Sequence, residues 1–325
     1  MRIAVVGAGL SGLAAAREAT ARGHEVVVFE KSRGIGGRVA SRRVEGTVVD
    51  HGSPAISAPP ESSLHDALLP LAGADTHRVP EGIADTAGAA APLKALAGGI
   101  DIRRAVRLRA LRPSSSGYEL GDEQGNAHGT ADAVIVTAPA PQAADLLGES
   151  GEPAERVEAL RSLRYLPAVM VLAGIHGDAG GGPLAVPGGS ALAAVRVETD
   201  KGRAPIDGVA PVVARLADHL AAELLDASDE AVLAQALPAL AALLGPADAG
   251  PAWVQVKRWR YAVPDGHLDA RALNPVGVRI VLAGDSLTGA GFGAADHAAV
   301  FASGIVAVGI AEAALRARAR PAASG

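Results

Sequence analysis

The sequence contains no cysteine, which excludes disulfide bonds, thiolate metal sites and a cysteine nucleophile. Its nine histidines show no H-x-x-x-H or H-E-x-x-H spacing, so we expect no metal site. Aromatic residues make up only 2% of the chain, and a cage of aromatic rings around a cation is therefore hard to build. No G-x-S-x-G string occurs, which disfavours a serine hydrolase.

An excess of positive charge is also absent. The 30 lysines and arginines are outnumbered by 35 acidic residues, which argues against nucleic acid or an anionic membrane as a partner. Two apolar stretches invite a membrane interpretation: residues 3–16 look like a short signal peptide, and residues 298–311 are too short to span a bilayer. Glycine phasing explains the first stretch better than a signal peptide does, and the second is predicted to be a buried helix. We expect a cytoplasmic protein.

The first thirty residues have the pattern of a βαβ unit. Residues 2–6 form an apolar run, residues 7–12 read G-x-G-x-x-G, and residues 13–22 have the composition of a helix. A second apolar run, residues 26–29, ends in Glu30. This arrangement predicts a dinucleotide site. A glycine-rich turn in another kind of α/β protein is the alternative, and it leaves the acid at this distance unexplained.

Each residue of the turn has a predicted task. Gly7 permits the tight turn, Gly9 lets a pyrophosphate approach bare backbone, and Gly12 lets the helix pack closely on the strand. Free N–H groups at the start of the helix, at Leu10 and Ser11, would bind phosphate together with the helix dipole. The carboxylate of Glu30 would accept hydrogen bonds from ribose hydroxyls.

A second glycine cluster follows the acid directly, in the string K-S-R-G-I-G-G-R of residues 31–38. It offers a second nest of backbone donors and a guanidinium to a pyrophosphate. The string resembles the E-x₃–₆-G-G-R segment of the FAD-dependent amine oxidase superfamily, so FAD is favoured over NAD. The resemblance implies that Arg38 contacts the phosphates of the cofactor.

Three later segments place polar or glycine residues directly after an apolar strand. These are Asp50-His51-Gly52-Ser53, Thr137 with the A-P-A-P-Q turn of residues 138–142, and Gly284-Asp285. The ends of such strands are where ligands of open α/β sheets bind. In the superfamily that the chain resembles, residues like Gly52 and Ser53 lie near the flavin ring and an aspartate like Asp285 binds a ribityl hydroxyl. An ordinary turn with a capping aspartate is the alternative for Asp285.

Over most of its length the chain resembles renalase and its bacterial relatives, a compact branch of the flavin amine oxidases. The more specific shared strings are P-A-P-Q at residues 139–142 and K-R-W-R-Y-A at residues 257–262. The resemblance implies non-covalent FAD, hydride transfer from a small amine or dihydronicotinamide-like substrate to flavin N5, and reoxidation by O₂. The chain departs from the branch at residues 53–56 and 288–297, where substrate is handled.

The expected site has two sets of residues. The residues expected to hold the cofactor are Gly7, Gly9, Leu10, Ser11, Gly12, Glu30, Lys31, Gly36, Gly37, Arg38, Gly52, Ser53, Val106, Thr137, Pro139, Gly284, Asp285 and Gly293. The residues that are candidates for catalysis are His51, Trp259, Tyr261 and His297.

Each catalytic candidate has a structural alternative. The rings of Trp259 and Tyr261 share one face of a strand. They would line the flavin pocket or fill the junction between the domains. His51 would act as a base or hydrogen-bond to local backbone. The Asp296-His297 pair would face the flavin, or Asp296 would only be an acid at the start of the last helix, where the helix dipole favours it. Three arginines, Arg196, Arg258 and Arg260, would recognise an anionic substrate group or form ion pairs.

The expected fold is α/β, with a Rossmann-type FAD-binding domain and an inserted α+β substrate domain made of an antiparallel sheet plus helices. Residues 1–52, 93–155 and 277–325 are assigned to the first domain, and residues 53–92 and 156–276 to the second. The leading function is an FAD-dependent oxidoreductase of renalase type whose partners are a small-molecule substrate and O₂ or an NAD(P)H-related compound. The alternatives are a flavin oxidase or desaturase of secondary metabolism, and a flavin-binding scaffold without catalysis. The oligomeric state stays open.

Overall fold

The fold is taken from a computed structural model that describes residues 1–177, 179–245, 250–289 and 296–319. The strands are β1 (Arg2–Val6), β2 (Glu25–Glu30), β3 (Ser41–Val44), β4 (Thr47–Asp50), β5 (Thr76–Val79), β6 (Gly82–Asp85), β7 (Asp101–Arg104), β8 (Leu108–Ser114), β9 (Gly117–Asp122), β10 (Ala127–Ala131), β11 (Ala133–Val136), β12 (Tyr165–His176), β13 (Gly182–Leu184), β14 (Leu192–Val197), β15 (Val209–Leu216), β16 (Trp253–Pro264) and β17 (Ile280–Leu282). The helices are α1 (Leu10–Ala21), α2 (Ser63–Leu68), α3 (Ala91–Leu96), α4 (Ala140–Glu149), α5 (Ala154–Ser162), α6 (Asp218–Glu223), α7 (Asp229–Leu244), α8 (Ala270–Leu273), α9 (Asp285–Thr288) and α10 (His297–Ala319), with 3₁₀ turns at Leu69–Leu71 and Glu198–Lys201.

A parallel sheet of five strands, in the order β17-β11-β1-β2-β7, forms the nucleotide-binding half. Its strands β1, β11 and β17 are buried and apolar on both faces, as expected where layers cover both faces of a parallel sheet, whereas the edge strand β7 is mostly exposed. Ile3 and Val5 pack with α1 and α10, whereas Ala4 and Val134 pack with the β8–β10 sheet and α4. The predicted Rossmann-type fold is confirmed. All five carboxyl ends meet at one edge, which is where the glycine turns lie.

The helix α10 is longer than the predicted apolar segment. Its 23 residues make it long and apolar enough, by length and composition alone, to cross a bilayer. The length argument against a membrane span was therefore wrong, but the helix packs as a core helix of the fold. Phe301 and Val308 are buried, and a Cβ on Gly304 would lie 2.0 Å from the carbonyl oxygen of Ser11. Only glycine lets α10 approach the backbone of α1 so closely.

The second half is an antiparallel sheet in the order β13-β14-β15-β12-β16. One face packs on α6 and α7 through residues such as Val171 and Val212, and the other face packs on the β3–β4 hairpin through Val49 and Met170. This is the predicted antiparallel sheet with helices. The strands β5 and β6 pair as a separate antiparallel hairpin.

Four charged side chains are buried together where the β3–β4 hairpin meets the second half. The Nζ of Lys201 lies 2.8 Å from Asp50 Oδ2 and 2.6 Å from Glu198 Oε1. Arg203 also pairs with both carboxylates. None of the four side chains is more than 4% exposed. A buried carboxylate is tolerated only when it is paired and hydrogen-bonded, so this cluster fixes the strand that leads to His51.

We expect Lys201→Met to lower the free energy of unfolding by about 3–5 kcal/mol, because it leaves two buried carboxylates sharing one arginine. Urea unfolding of the variant beside Lys94→Met, a change at an exposed lysine of α3, measures the effect. The double variant with Glu198→Gln should recover part of the loss. A single variant as stable as the Lys94 control would contradict the role of the cluster.

Candidate active site

A cavity of about 600 Å³ opens at the carboxyl edge of the parallel sheet, between that edge and β16. Most of the predicted site residues line it: Gly7, Gly9, Leu10, Ser11, Glu30, Lys31, Gly36, Gly37, Arg38, Val106, Thr137, Pro139, Trp259, Tyr261, Gly284, Asp285 and His297. Gly12, His51, Gly52 and Ser53 do not line it, and Gly293 falls outside the described residues. The turns of the first and last segments therefore meet in one cavity.

The two glycine clusters contact each other at the wall of this cavity. A Cβ on Gly37 would lie 3.2 Å from the Cα of Gly9, and the N–H of Gly36 donates to the carbonyl of Ala8 at 2.9 Å. Gly37 also has a φ of 61°, which favours glycine. Side chains are absent from both turns at the point of contact, so a phosphate can reach backbone N–H groups there.

Gly12 does not line the cavity, and its role is in packing. A Cβ on it would lie 1.9 Å from the carbonyl oxygen of Gly7. The glycine therefore permits the close approach of the turn to the first helical residues, which is the task predicted for it from the fingerprint.

Glu30 is tied to both glycine turns. Its Oε2 accepts from the N–H of Ala8 at 2.8 Å and its Oε1 from the N–H of Ser32 at 2.7 Å. The side chain is buried but still lines the cavity. A carboxylate has about four acceptor positions, so both oxygens can accept further bonds from ligand hydroxyls.

Asp285 carries a buried polar atom that lacks a hydrogen-bond partner among the described residues. Its Oδ2 accepts from Arg38 Nη1 at 2.8 Å and from the Tyr165 hydroxyl at 2.7 Å. Its Oδ1 is buried without a partner among the described residues. Since a buried unpaired acceptor costs about 1–3 kcal/mol, the cavity favours a ligand that donates a hydrogen bond there. The ribityl chain of the predicted FAD carries such hydroxyl donors, and the site fits it.

Arg38 makes contacts within the protein that the sequence analysis did not predict. Besides Asp285, its Nη1 reaches the carbonyl oxygens of Tyr261 and Ala262, at 3.4 and 3.2 Å. The guanidinium therefore joins the second glycine turn to the closing turn and to β16. The other N–H groups of Arg38 remain available for the predicted contact with phosphate.

Tyr165 is a site residue that the sequence analysis missed. Its hydroxyl donates to Asp285 and accepts from the N–H of Ala140, at 3.2 Å, and its ring packs edge-on against Tyr261 with 5.6 Å between centroids. Burial, followed by the negative charge of Asp285, raises the pKa of Tyr165 far above its ordinary value. Its place at the start of a strand gives no local signal of this role.

His297 lines the cavity, but both of its ring nitrogens are engaged. Nδ1 accepts from the N–H of Ser57 at 2.9 Å, which places the ring proton on Nε2, 3.2 Å from the hydroxyl of Ser53. Burial and the positive charge of Arg38 lower the pKa of His297 to about 4. The ring is therefore a neutral positioning group rather than a base. Asp296, the alternative, caps α10 by accepting from the N–H of Ala299 at 2.9 Å.

His51, a candidate for catalysis, is not among the residues that line the cavity. Its ring stacks on Trp259 with 5.6 Å between centroids, and Trp259 Nε1 donates to the His51 carbonyl at 2.7 Å. Trp259, and not the histidine, lines the cavity. Burial, with the positive charges of Arg42 and Lys257, lowers the pKa of His51 to about 4.

The loop after His51 is also placed differently from the prediction. A Cβ on Gly52 would lie 2.0 Å from the carbonyl oxygen of Arg38, and the N–H of Ser53 donates to that same oxygen at 2.8 Å. The glycine and the serine therefore hold the backbone of the second glycine turn instead of lining the cavity.

The three candidate arginines are all in ion pairs. Arg196 is buried with Glu81 and Asp200, away from the cavity. Arg258 and Arg260 line the cavity, but they pair with Asp229 and Asp226. The structure therefore supports the ion-pair alternative for all three arginines.

Family profiles match almost the whole chain. A profile described as an NAD(P)-binding Rossmann-like domain matches residues 5–69, and one described as flavin-containing amine oxidoreductase matches residues 68–310.

Curated relatives match shorter segments. The 4,4'-diapophytoene desaturase (4,4'-diaponeurosporene-forming) of Staphylococcus aureus is 48% identical over 61 residues, which is 19% of this chain and 12% of that protein. AofH of Mycobacterium tuberculosis, named as a candidate flavin-containing monoamine oxidase, is 40% identical over 109 residues, which is 31% of this chain and 24% of that protein. The chain thus spans a quarter or less of the length of these relatives.

Solved structures match over nearly the full length. The match to putrescine oxidase bound to putrescine has a TM-score of 0.65 at 16% identity. It covers 98% of this chain and 100% of the oxidase chain. The match to cyclohexylamine oxidase from Brevibacterium oxydans has a TM-score of 0.68 at 14% identity. It covers 96% of this chain and 99% of the oxidase chain. At these identities the likeness concerns the fold.

The two buried histidines predict a pH dependence of stability. Because the pKa of each is about 4 in the folded protein and 6.5 without the fold, the unfolded chain binds more protons between these values. Stability is therefore full above pH 6.5 and falls as the pH drops toward 4, by roughly 3 kcal/mol per histidine.

We expect His51→Phe to weaken this dependence by about half of the two-histidine contribution when urea unfolding is compared at pH 4.5 and 7. The matched change His219→Phe, at an exposed position of α6, should leave the dependence as it is. The same pH dependence in His51→Phe and in the unsubstituted protein would contradict the assignment.

Proposed function

The chain belongs to the family of flavin-containing amine oxidoreductases, whose profile matches residues 68–310, and from this premise we propose that it is an FAD-dependent oxidoreductase of renalase type. Its substrate is a small amine or a dihydronicotinamide-like compound. FAD, when bound, supplies a hydride acceptor at N5 that O₂ can reoxidise.

The observation that carries this proposal is the unpaired Oδ1 of Asp285 in a cavity that also holds both glycine turns. Gly9 and Gly37 provide the phosphate-binding end, and Glu30 provides acceptors for a ribose. Asp285 lies at the closing turn, where an acceptor suits the polyhydroxyl chain between phosphate and flavin ring. A simple NAD site would use the first turn and Glu30 only.

Three ionisable groups of the cavity, His297, Glu30 and Asp285, are held by protein contacts, which supports hydride removal without their help as a base. His297 has both ring nitrogens engaged, and the carboxylates of Glu30 and Asp285 are hydrogen-bonded to protein donors. A substrate that loses a hydride from a neutral amine or dihydropyridine needs no proton acceptor in that step. The task of the chain is then to hold the substrate and to exclude water.

Trp259 and Tyr261 are suited to that task. Both rings lie on one face of β16 and line the cavity, and Trp259 is fixed by its hydrogen bond to the His51 carbonyl. A rigid aromatic wall beside the ring-binding end of the cavity can stack a flat substrate and keep water away.

The cofactor is proposed to be bound without a covalent link. The chain has no cysteine, and the histidine that lines the described cavity is engaged at both nitrogens. The desaturase alternative is motivated by the departures at residues 53–56 and 288–297, and the match to a desaturase covers only 19% of this chain. Membership of an oxidoreductase family favours a catalyst over a scaffold.

We expect the protein loaded with FAD to lose the visible absorption of oxidised flavin when a dihydronicotinamide isomer or a neutral small amine is added without oxygen. Air should restore the absorption and produce H₂O₂. No bleaching by either class of compound, with the flavin bound, would contradict the proposal.

Trp259→Ala should slow the bleaching roughly tenfold or more, because a displaced substrate loses its alignment with the flavin. Trp253→Ala is the matched control, since Trp253 lies on the same strand but does not line the described cavity. Equal bleaching rates in Trp259→Ala and Trp253→Ala would contradict the proposal that the Trp259 ring aligns the substrate.

A further inference from the structure

Tyr165 joins three segments of the candidate site without lining the described cavity itself. Its hydroxyl accepts from the N–H of Ala140 at 3.2 Å and donates to Asp285 Oδ2 at 2.7 Å. Its ring lies edge-on to the ring of Tyr261, with 5.6 Å between the centroids. The polar end of one side chain therefore contacts the start of α4 and the turn after β17, and its ring contacts the aromatic wall on β16.

The hydroxyl determines which oxygen of the Asp285 carboxylate remains for a ligand. Arg38 and Tyr165 both donate to Oδ2, and Oδ1 is buried without a partner among the described residues. The terminal torsion of an aspartate is soft, so with Arg38 as its single donor either oxygen could take that contact. A second donor from a different element keeps one orientation.

The ring supports a part of β16 that the sheet ladder does not hold. The pairing of β12 with β16 is interrupted at Pro167, opposite which stand the three residues 260–262. Proline has no N–H to donate, and a bulge of this kind redirects side chains near a site. The carbonyl of Tyr261 accepts from Arg38 at 3.4 Å, and its ring has Tyr165 as an edge-on neighbour, an arrangement that attracts beyond the area it buries.

We propose that Tyr165 is a positioning residue with two separate tasks: its hydroxyl orients Asp285 for the cofactor, and its ring holds Tyr261 in the wall beside the substrate. This inference rests on the proposed function, because it takes the cavity as the site of FAD and substrate. The two tasks can be removed one at a time, since phenylalanine keeps the ring without the hydroxyl and leucine has neither.

Equilibrium titration of the apoprotein with FAD tests the hydroxyl. We expect Tyr165→Phe to weaken FAD binding about tenfold, because the carboxylate loses one of its two donors and its fixed orientation. In an Asp285→Asn background the same change should weaken binding about twofold at most, since Tyr165 acts through that carboxylate.

Ser150→Ala is the matched control for a lost hydroxyl. The Ser150 hydroxyl accepts from the N–H of Leu111 at 2.9 Å and donates to the carbonyl of Leu146 at 2.6 Å, at the other end of α4, and Ser150 does not line the described cavity. Both changes should lower the urea midpoint, but Ser150→Ala should keep the unsubstituted affinity for FAD. A folded Tyr165→Phe protein that binds FAD as tightly as this control would overturn the task of the hydroxyl, and so would a full tenfold effect in the Asp285→Asn background.

Fluorine NMR tests the ring without turnover. The chain has three tyrosines, so labelling with fluorotyrosine gives few signals, and Tyr118→Phe assigns one of them. The Tyr261 signal should keep its position in Tyr165→Phe, whereas in Tyr165→Leu it should sharpen and move toward the value of the free amino acid, because the ring has lost its neighbour. An unmoved Tyr261 signal in Tyr165→Leu would overturn the task of the ring.

Steady-state kinetics at saturating FAD connects the ring to the substrate. We expect Tyr165→Phe to keep the unsubstituted KM and Tyr165→Leu to raise KM about tenfold, because the wall no longer aligns the substrate. Equal KM values in the two variants would contradict that connection. If no amine or dihydronicotinamide reduces the bound flavin, the proposed function fails, while the FAD titration and the NMR signals still decide on Tyr165.

Discussion

The buried contact between Arg38, Asp285 and Tyr165 is the interaction on which the site depends. It joins the second glycine turn, the turn after β17 and the first residue of β12, which are far apart in the sequence. Asp285 is 1% exposed, and an isolated carboxylate at that depth would be costly. Two donors on Oδ2 make the charge tolerable and fix its orientation. They leave Oδ1 buried without a donor among the described residues, in a residue that lines the cavity, and a hydroxyl-bearing cofactor can supply the missing donor.

A second buried network, that of Asp50, Glu198, Lys201 and Arg203, fixes the other side of the site. It anchors the end of β4, and the residues that follow place the His51 carbonyl where it accepts from Trp259. One network therefore sets the cofactor end of the cavity and the other sets the aromatic wall. Trp259 stands between them with a neutral histidine on its ring and a lysine within cation–π distance.

Local signals carried the part of the site that the sequence predicts correctly. Strand–glycine turn–helix chemistry depends on residues close in the sequence, so the positions of Gly9, Gly37 and the closing turn could be found from spacing and turn geometry. The same signals say nothing about partners across the fold. Tyr165 is 120 residues from Asp285, and Lys201 is 151 from Asp50, so both contacts need the packed sheets. His51 was misplaced because the strand end sets its backbone position, whereas the ring position is set by its stacking on Trp259.

The affinity for FAD of Asp285→Asn tests the account most directly. The change keeps the shape of the side chain but removes the charge and one acceptor, so we predict that affinity falls about 10- to 100-fold in equilibrium titration of the apoprotein. Asp265→Asn, at an aspartate of the exposed ion pair with Arg164, should keep the unsubstituted affinity. A folded Asp285→Asn protein that binds FAD as tightly as this control would contradict the claim that the closing turn holds the cofactor.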